Sequence, residues 1–260
     1  MSPAIAWQMF GADFLKMRKR LGNVAFALLI AYGPLLIFFI VRAAQHSSNA
    51  ASHPAAGGLD GFTNGLRLLG LFFGPLAAIL IGADGGAGDA AAGVFRDLVV
   101  TGRSRVALFA SRVPAAIALT WLVMLGGYGL LLAGTFVFAS GTPTPGGAVI
   151  VNGLLFTLFS TAVICAVAVG FASLTASRPG ALTTLIGWQL VASPILASIS
   201  SLGSSRKLLL SQAVAHYSPV RIGDRGASVS LGSTTAVIVT LAWIALFLAL
   251  GAWRTARMDA

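Results

Sequence analysis

Six long apolar runs, residues 24–41, 66–83, 113–137, 149–174, 182–199 and 235–253, constrain this chain more than anything else in it. Each approaches or exceeds the ~20 residues a helix needs to cross ~30 Å of hydrocarbon, where only intrahelical bonding satisfies the backbone. Composition agrees, with 57% hydrophobic and 9% charged residues against about a quarter charged in soluble domains. Mean hydropathy is +0.90. The expected architecture is an all-α integral membrane protein with six transmembrane helices, a single six-span domain over residues 1–260.

Charge gives the orientation. There are 17 Lys and Arg against seven acidic residues, all of them Asp, for a net charge of +10. In a membrane protein such an excess collects in cytoplasmic loops. An even number of spans puts both termini on one side, together with Lys16, Arg18, Lys19, Arg20, Arg96, Arg103, Arg105, Arg112, Arg178, Arg254 and Arg257. The opposite side keeps Arg42, Arg67, Arg206, Lys207, Arg221 and Arg225. Both termini are therefore expected in the cytoplasm. No basic and aromatic platform suggests nucleic acid. Cys165 is the only cysteine, which excludes a disulfide framework, and His46 and His53 lack an acidic or thiol partner for a metal. No cofactor is expected.

Ahead of the first run, Trp7, Phe10, Phe14, Met17 and Leu21 recur at steps of three and four, with Lys16, Arg18, Lys19 and Arg20 at the end. This spacing predicts an interfacial helix over residues 1–22, apolar face in the lipid boundary and cations toward anionic headgroups. The length of the following run favours a true span over a cleaved signal peptide. Residues 200–231 form an external segment in which LLLSQAVAHY has the composition of a partly re-entrant helix pair.

Residues 84–112, DGGAGDAAAGVFRDLVVTGRSRVALFASR, interrupt the apolar pattern with charge. Ala91, Val94, Phe95 and Leu98 share one helical face, and Asp89, Gly93, Arg96 and Asp97 the other. The pattern predicts a surface helix from Asp89 to Thr101, hinged at Gly85, Gly86 and Gly88 and capped by Gly102, with Asp89 in its first turn. No Gly-Lys-Ser/Thr follows the glycines, so ATP binding by this chain is not expected. A membrane phosphotransferase of the CDP-alcohol kind needs an Ala-Arg pair where Gly88 and Asp89 stand. No nucleophile, base and acid set offers hydrolytic chemistry either. An enzyme is not expected.

Taken in order, the chain resembles the membrane subunit of a type-2 ABC transporter, a family of six-span permeases. The likeness spans nearly the whole chain: the amphipathic N-terminal helix, the six spans, the long last external segment and above all GVFRDLVVTGRSR at residues 93–105, followed by LFASRVP at 108–114. It is closest in character to actinobacterial-type members, with Asp89 where the family commonly has Glu. The resemblance implies that Asp89, Arg96, Asp97, Arg103 and Arg105 couple the chain to an ATPase subunit. It further implies two copies of that ATPase, a second permease chain as homo- or heterodimer, and outward transport across the cytoplasmic membrane.

Within the fifth run, Thr183, Gln189 and Ser193 mark a polar stripe suited to a substrate path, because such groups prefer partners or water to lipid. Ordinary interhelical bonding explains the same stripe equally well. The alternative function is a small secondary transporter or channel without an ATPase, which would call for an intramembrane charge. No Asp falls in the middle of a run.

Overall fold

The computed structural model describes residues 3–91, 104–220 and 231–257, and among them all regular structure is helical. Helix α1 spans Pro3–Lys19 and breaks at Arg20, whose backbone is not helical, before α2 spans Leu21–Ser48. Helix α3 is built end to end from Gly58–Arg67, a π-helical turn Leu68–Phe73 and Gly74–Ala91. Helix α4 spans Arg105–Val137 and α5 spans Gly147–Thr175. Helix α6 repeats the α3 pattern, with Arg178–Gly187, a π-helical turn Trp188–Ala192 and Ser193–Ser198. A 3-10 stretch, Ser200–Leu208, leads to the short α7, Leu210–Ala215, and α8 spans Ser233–Arg257.

Six of these helices, α2 to α6 and α8, are long and apolar enough to cross a membrane. Their order matches the six predicted runs, but most run past the predicted ends. The largest differences flank the charged segment. Residues 84–91 continue α3, and residues 105–112 open α4, so neither belongs to a separate surface element. Asp89 stands in the last turns of a buried helix, not the first turn of an exposed one.

The glycines expected to act as a hinge instead allow close packing. A Cβ on Gly82 would lie 2.7 Å from the Cys165 carbonyl oxygen, and one on Gly86 would lie 2.4 Å from that of Val169. Helices α3 and α5 therefore meet along small residues, as membrane helices do where no hydrophobic effect draws them together. Two hydroxyls bridge this seam: Ser160 Oγ donates to the Gly70 carbonyl at 2.9 Å and Ser173 Oγ to that of Gly86 at 3.1 Å.

This pairing makes α3 the axis of the bundle. Its apolar stretch is 72% buried, whereas those of α2, α6 and α8 are 17–22% buried and carry apolar side chains on the outside. Local signals fix the helix ends. Ser104 accepts from the Ala107 N–H and starts α4; Ser177 accepts from the Gly180 N–H and starts α6 beside Pro179, both standard N-cap arrangements. Ala176, in the left-handed conformation, closes α5 and turns the chain directly into α6.

Within the LLLSQAVAHY stretch the structure has a single short helix, α7, preceded by the 3-10 stretch Ser200–Leu208, which is broken at Gly203; residues 221–230 lie outside the described residues. Trp243 Nε1 donates to the Leu208 carbonyl at 2.9 Å. Trp243 stands ten residues, ~15 Å, along α8, so these segments fold back against the bundle instead of standing off its end.

Candidate functional site

Helix α1 presents two faces. Met9, Asp13, Lys16, Met17 and Arg20 fall on one side by their spacing, and this side meets the bundle: Met9 and Met17 are buried, and the three charged side chains find partners there. Of the expected apolar stripe, Trp7, Phe10 and Phe14 lie on the adjoining side, whereas Met17 faces the bundle and Leu21 opens α2. Trp7 and Leu21 are largely exposed, and Trp7, Phe10 and Phe14 stack along their side. The cations thus divide, with Arg18 and Lys19 outward and Lys16 and Arg20 inward.

What they meet is the end of α3. Asp89, 3% exposed, holds Lys16 Nζ on one carboxylate oxygen, and Arg112 Nη2 of α4 lies 2.8 Å from the other. The Arg112 contact is an ion pair rather than a straight hydrogen bond. One turn earlier, Asp84 accepts from Arg20 Nη1 at 2.6 Å and lies 3.4 Å from Arg178 Nε of α6. Arg178 Nη2 also donates to Asn23 Oδ1 at 2.8 Å, which brings in α2. Ser111 Oγ of α4 donates to Asp13 Oδ2 at 2.6 Å. Gly88 makes room for this: a Cβ there would lie 2.4 Å from Arg20 Nη1.

Five helices are therefore tied together at one end of the bundle by the carboxylates Asp13, Asp84 and Asp89 and the cations Lys16, Arg20, Arg112 and Arg178. Burial holds the Lys16 ammonium below its ordinary pKa, and the Arg112 charge adds to this, against the pull of Asp13 and Asp84. A cation desolvated beside other cations relies on its carboxylate neighbours, which is the role Asp89 fills. The space these groups enclose is about 10 Å³, at the lower limit for one water. Among the described residues the cluster joins helices and encloses too little space for a ligand.

Of the expected coupling residues, Asp89 is in this cluster, whereas Arg105, at the start of α4 two turns before Arg112, donates from Nη1 to the Ala256 carbonyl of α8 at 3.4 Å. Arg96, Asp97 and Arg103 lie outside the described residues. Asp13, Lys16, Arg20, Asp84, Arg112 and Arg178 are not among the residues expected from sequence to act at a site. Three of them did leave a signal, since Asp13, Lys16 and Arg20 share one helical face.

The expected path residues each have a different setting. Thr183 is exposed on α6. Gln189, in the π-helical turn of α6, places Nε2 3.5 Å from the carbonyl of Leu71, in the π-helical turn of α3. Ser193 is buried, with Oγ 2.6 Å from Ser211 Oγ of α7. The two irregular turns thus face each other, and π-turns of this kind recur at functional places in helices.

Among the described residues no cluster of His, Cys, Asp and Glu is suited to hold a metal. No protein-family model matches the chain, and a comparison with curated proteins gives no significant match.

Proposed function

We propose that the chain is the permease subunit of an ATP-driven exporter of the type-2 ABC kind, set in the cytoplasmic membrane with both termini in the cytoplasm. In this reading it pairs with a second permease chain and with two copies of a separate ATPase subunit, and hydrolysis takes place on that partner. The observation that carries the reading is that Asp84 and Asp89, on one central helix, hold cations from α1, α4 and α6. The resemblance puts the docking element in residues 84–112, with its motif at 93–105, between the end of that helix and the start of α4. A displacement imposed on this segment would reach four helices through paired charges without crossing lipid, as a rigid-body shift of packed elements requires.

The test is reconstitution in vesicles with an ABC ATPase subunit that co-purifies with the chain. Arg96→Glu together with Asp97→Arg should abolish substrate-stimulated ATP hydrolysis while the chain still inserts and co-purifies with a second permease chain. Stimulation at the wild-type level in that variant would rule the docking role out.

The alternative, a secondary transporter or channel, draws some support from Asp84 and Asp89, acidic groups buried near the end of a candidate span. Each is paired with cations, however, and among the described residues neither borders a passage. Transport that persists without nucleotide would favour this alternative.

A further inference from the structure

Both irregular turns end just ahead of a proline. Pro75 is the second residue after the turn Leu68–Phe73 of α3, and Pro194 is the second after Trp188–Ala192 of α6. Proline has no N–H, and its ring crowds the carbonyl four residues back, a conflict that a helix relieves by kinking or widening. In lipid the carbonyls so released need donors from neighbouring side chains.

Pro75 withholds an N–H from two carbonyls. One is Leu71, four residues back in α-helical register; the other is Gly70, five back in the π register of the turn, in which the Gly74 N–H bonds to Leu69. Each carbonyl meets a side-chain donor instead. Ser160 Oγ of α5 donates to Gly70 at 2.9 Å, and Gln189 Nε2 of α6 lies 3.5 Å from the Leu71 oxygen. The first distance is ordinary for a hydrogen bond, and the second is at its long limit.

The two turns differ in support. That of α3 is clamped: Leu69 and Gly70 are buried, and a Cβ on Gly70 would lie 2.8 Å from Phe156 Cε1 of α5. That of α6 holds no buried residue, and nothing lies within 4 Å of a Cβ position on Gly187 just before it. Beyond it, Ser193 is the one buried residue of Ser193–Ser198. Helix α6 can therefore bend at its turn without opening the packed core, whereas α3 cannot.

We propose that α6 pivots at Trp188–Ala192, with Gln189 as a catch that holds the present form by donating to the carbonyl that Pro75 leaves short of a donor. A π-turn followed by a proline changes direction at low cost, because a backbone bond that would resist bending is already missing. The inference rests on the six helices lying in a membrane and is independent of an ATPase partner.

The experiment uses the full chain in vesicles of phosphatidylethanolamine and phosphatidylglycerol, with spin labels on pairs of introduced cysteines; Cys165 is buried and stays unlabelled. One pair, Ser198→Cys with Val137→Cys, reports on α6 beyond the turn. The other, Thr183→Cys with Val106→Cys, reports on α6 before it, and all four positions are exposed. Distances are read by double electron–electron resonance. Gln189→Leu, which keeps the bulk but cannot donate, should raise the share of a second distance in the first pair about threefold to tenfold, the worth of one neutral hydrogen bond. The other pair should not change. Pro75→Ala, which returns the N–H, should make Gln189→Leu nearly silent. Pro194→Ala, which restores a backbone bond within α6, should suppress the second distance in the Gln189→Leu background. An unchanged first pair in Gln189→Leu overturns the catch. Equal shifts in both pairs overturn the pivot, because α6 would then move as a rigid rod. A second distance that survives Pro194→Ala overturns the part given to the proline. Should Pro75→Ala fail to fold, Gln189→Leu and Pro194→Ala decide the matter between them.

Discussion

Asp89 Oδ2 lies 2.8 Å from Arg112 Nη2, and the two side chains are only 3% and 5% exposed. Removing one member of such a pair leaves the other charge buried, at a cost of about 3–5 kcal/mol. Asp89→Asn should therefore destabilise the chain by an amount in that range, read from thermal unfolding in detergent. Arg112→Met should cost less, because Asp89 keeps Lys16. The double variant should recover much of the loss. Additive losses would mean that the two groups do not interact.

The close approach of α3 and α5 gives a second expectation. Gly86→Ala would put a methyl group 2.4 Å from the Val169 carbonyl oxygen, backbone that cannot move aside alone. The helices would have to separate, and overpacking of this kind costs about 1–3 kcal/mol. Gly129→Ala is the control: nothing lies within 4 Å of its Cβ position, and alanine in a helix interior gains up to ~1 kcal/mol. Opposite shifts in melting temperature should result. A gain for Gly86→Ala would contradict the packing.

These relationships separate what the sequence carries from what it does not. The six long helices follow from runs of apolar residues, because a run that long leaves the backbone one way to satisfy itself in lipid. The ends of α3 and α4 were hidden for a physical reason. Asp84, Asp89 and Arg112 look like solvent-facing residues until their charges are paired, and their partners stand 23 to 94 positions away. Glycine has the same ambiguity, since Gly85, Gly86 and Gly88 suit a flexible turn and a tight helix contact alike. The face formed by Asp13, Lys16 and Arg20 is legible in their spacing, but the aromatic stripe that begins at Trp7 is the stronger periodic signal in the same residues. Nothing in the spacing of residues 68–73 or 188–192 announces a π-turn.

Contact between Ser193 and Ser211, with their oxygens 2.6 Å apart, can be tested by cross-linking. Ser193→Cys with Ser211→Cys should form a disulfide under mild oxidation, because cysteines in such proximity can reach bonding geometry with small adjustment. The readout is protection from a maleimide reagent, reversed by reductant, with buried Cys165 silent throughout. If α6 moves relative to α7 during transport, the oxidised form should be inactive and the reduced form active. Thiols that stay reactive after oxidation would place the two segments apart.

Arg178 distinguishes a part in transmission from a part in stability. It lies 3.4 Å from Asp84 and donates to Asn23, but its side chain is 31% exposed, and Arg20 supplies Asp84 with a second cation at 2.6 Å. A partly solvated pair contributes about 1 kcal/mol or less, so Arg178→Gln should scarcely change the melting temperature. Arg178 is nonetheless the described charge that ties α6 to the end of α3. If ATPase closure reaches α6 through that tie, Arg178→Gln should lower nucleotide-driven transport several-fold while ATP hydrolysis continues, because energy would be consumed without moving the fifth span. Arg178→Lys, which retains the charge but not the second donor to Asn23, should restore part of the activity. Parallel loss of stability and hydrolysis would instead make Arg178 a structural residue and remove α6 from the route.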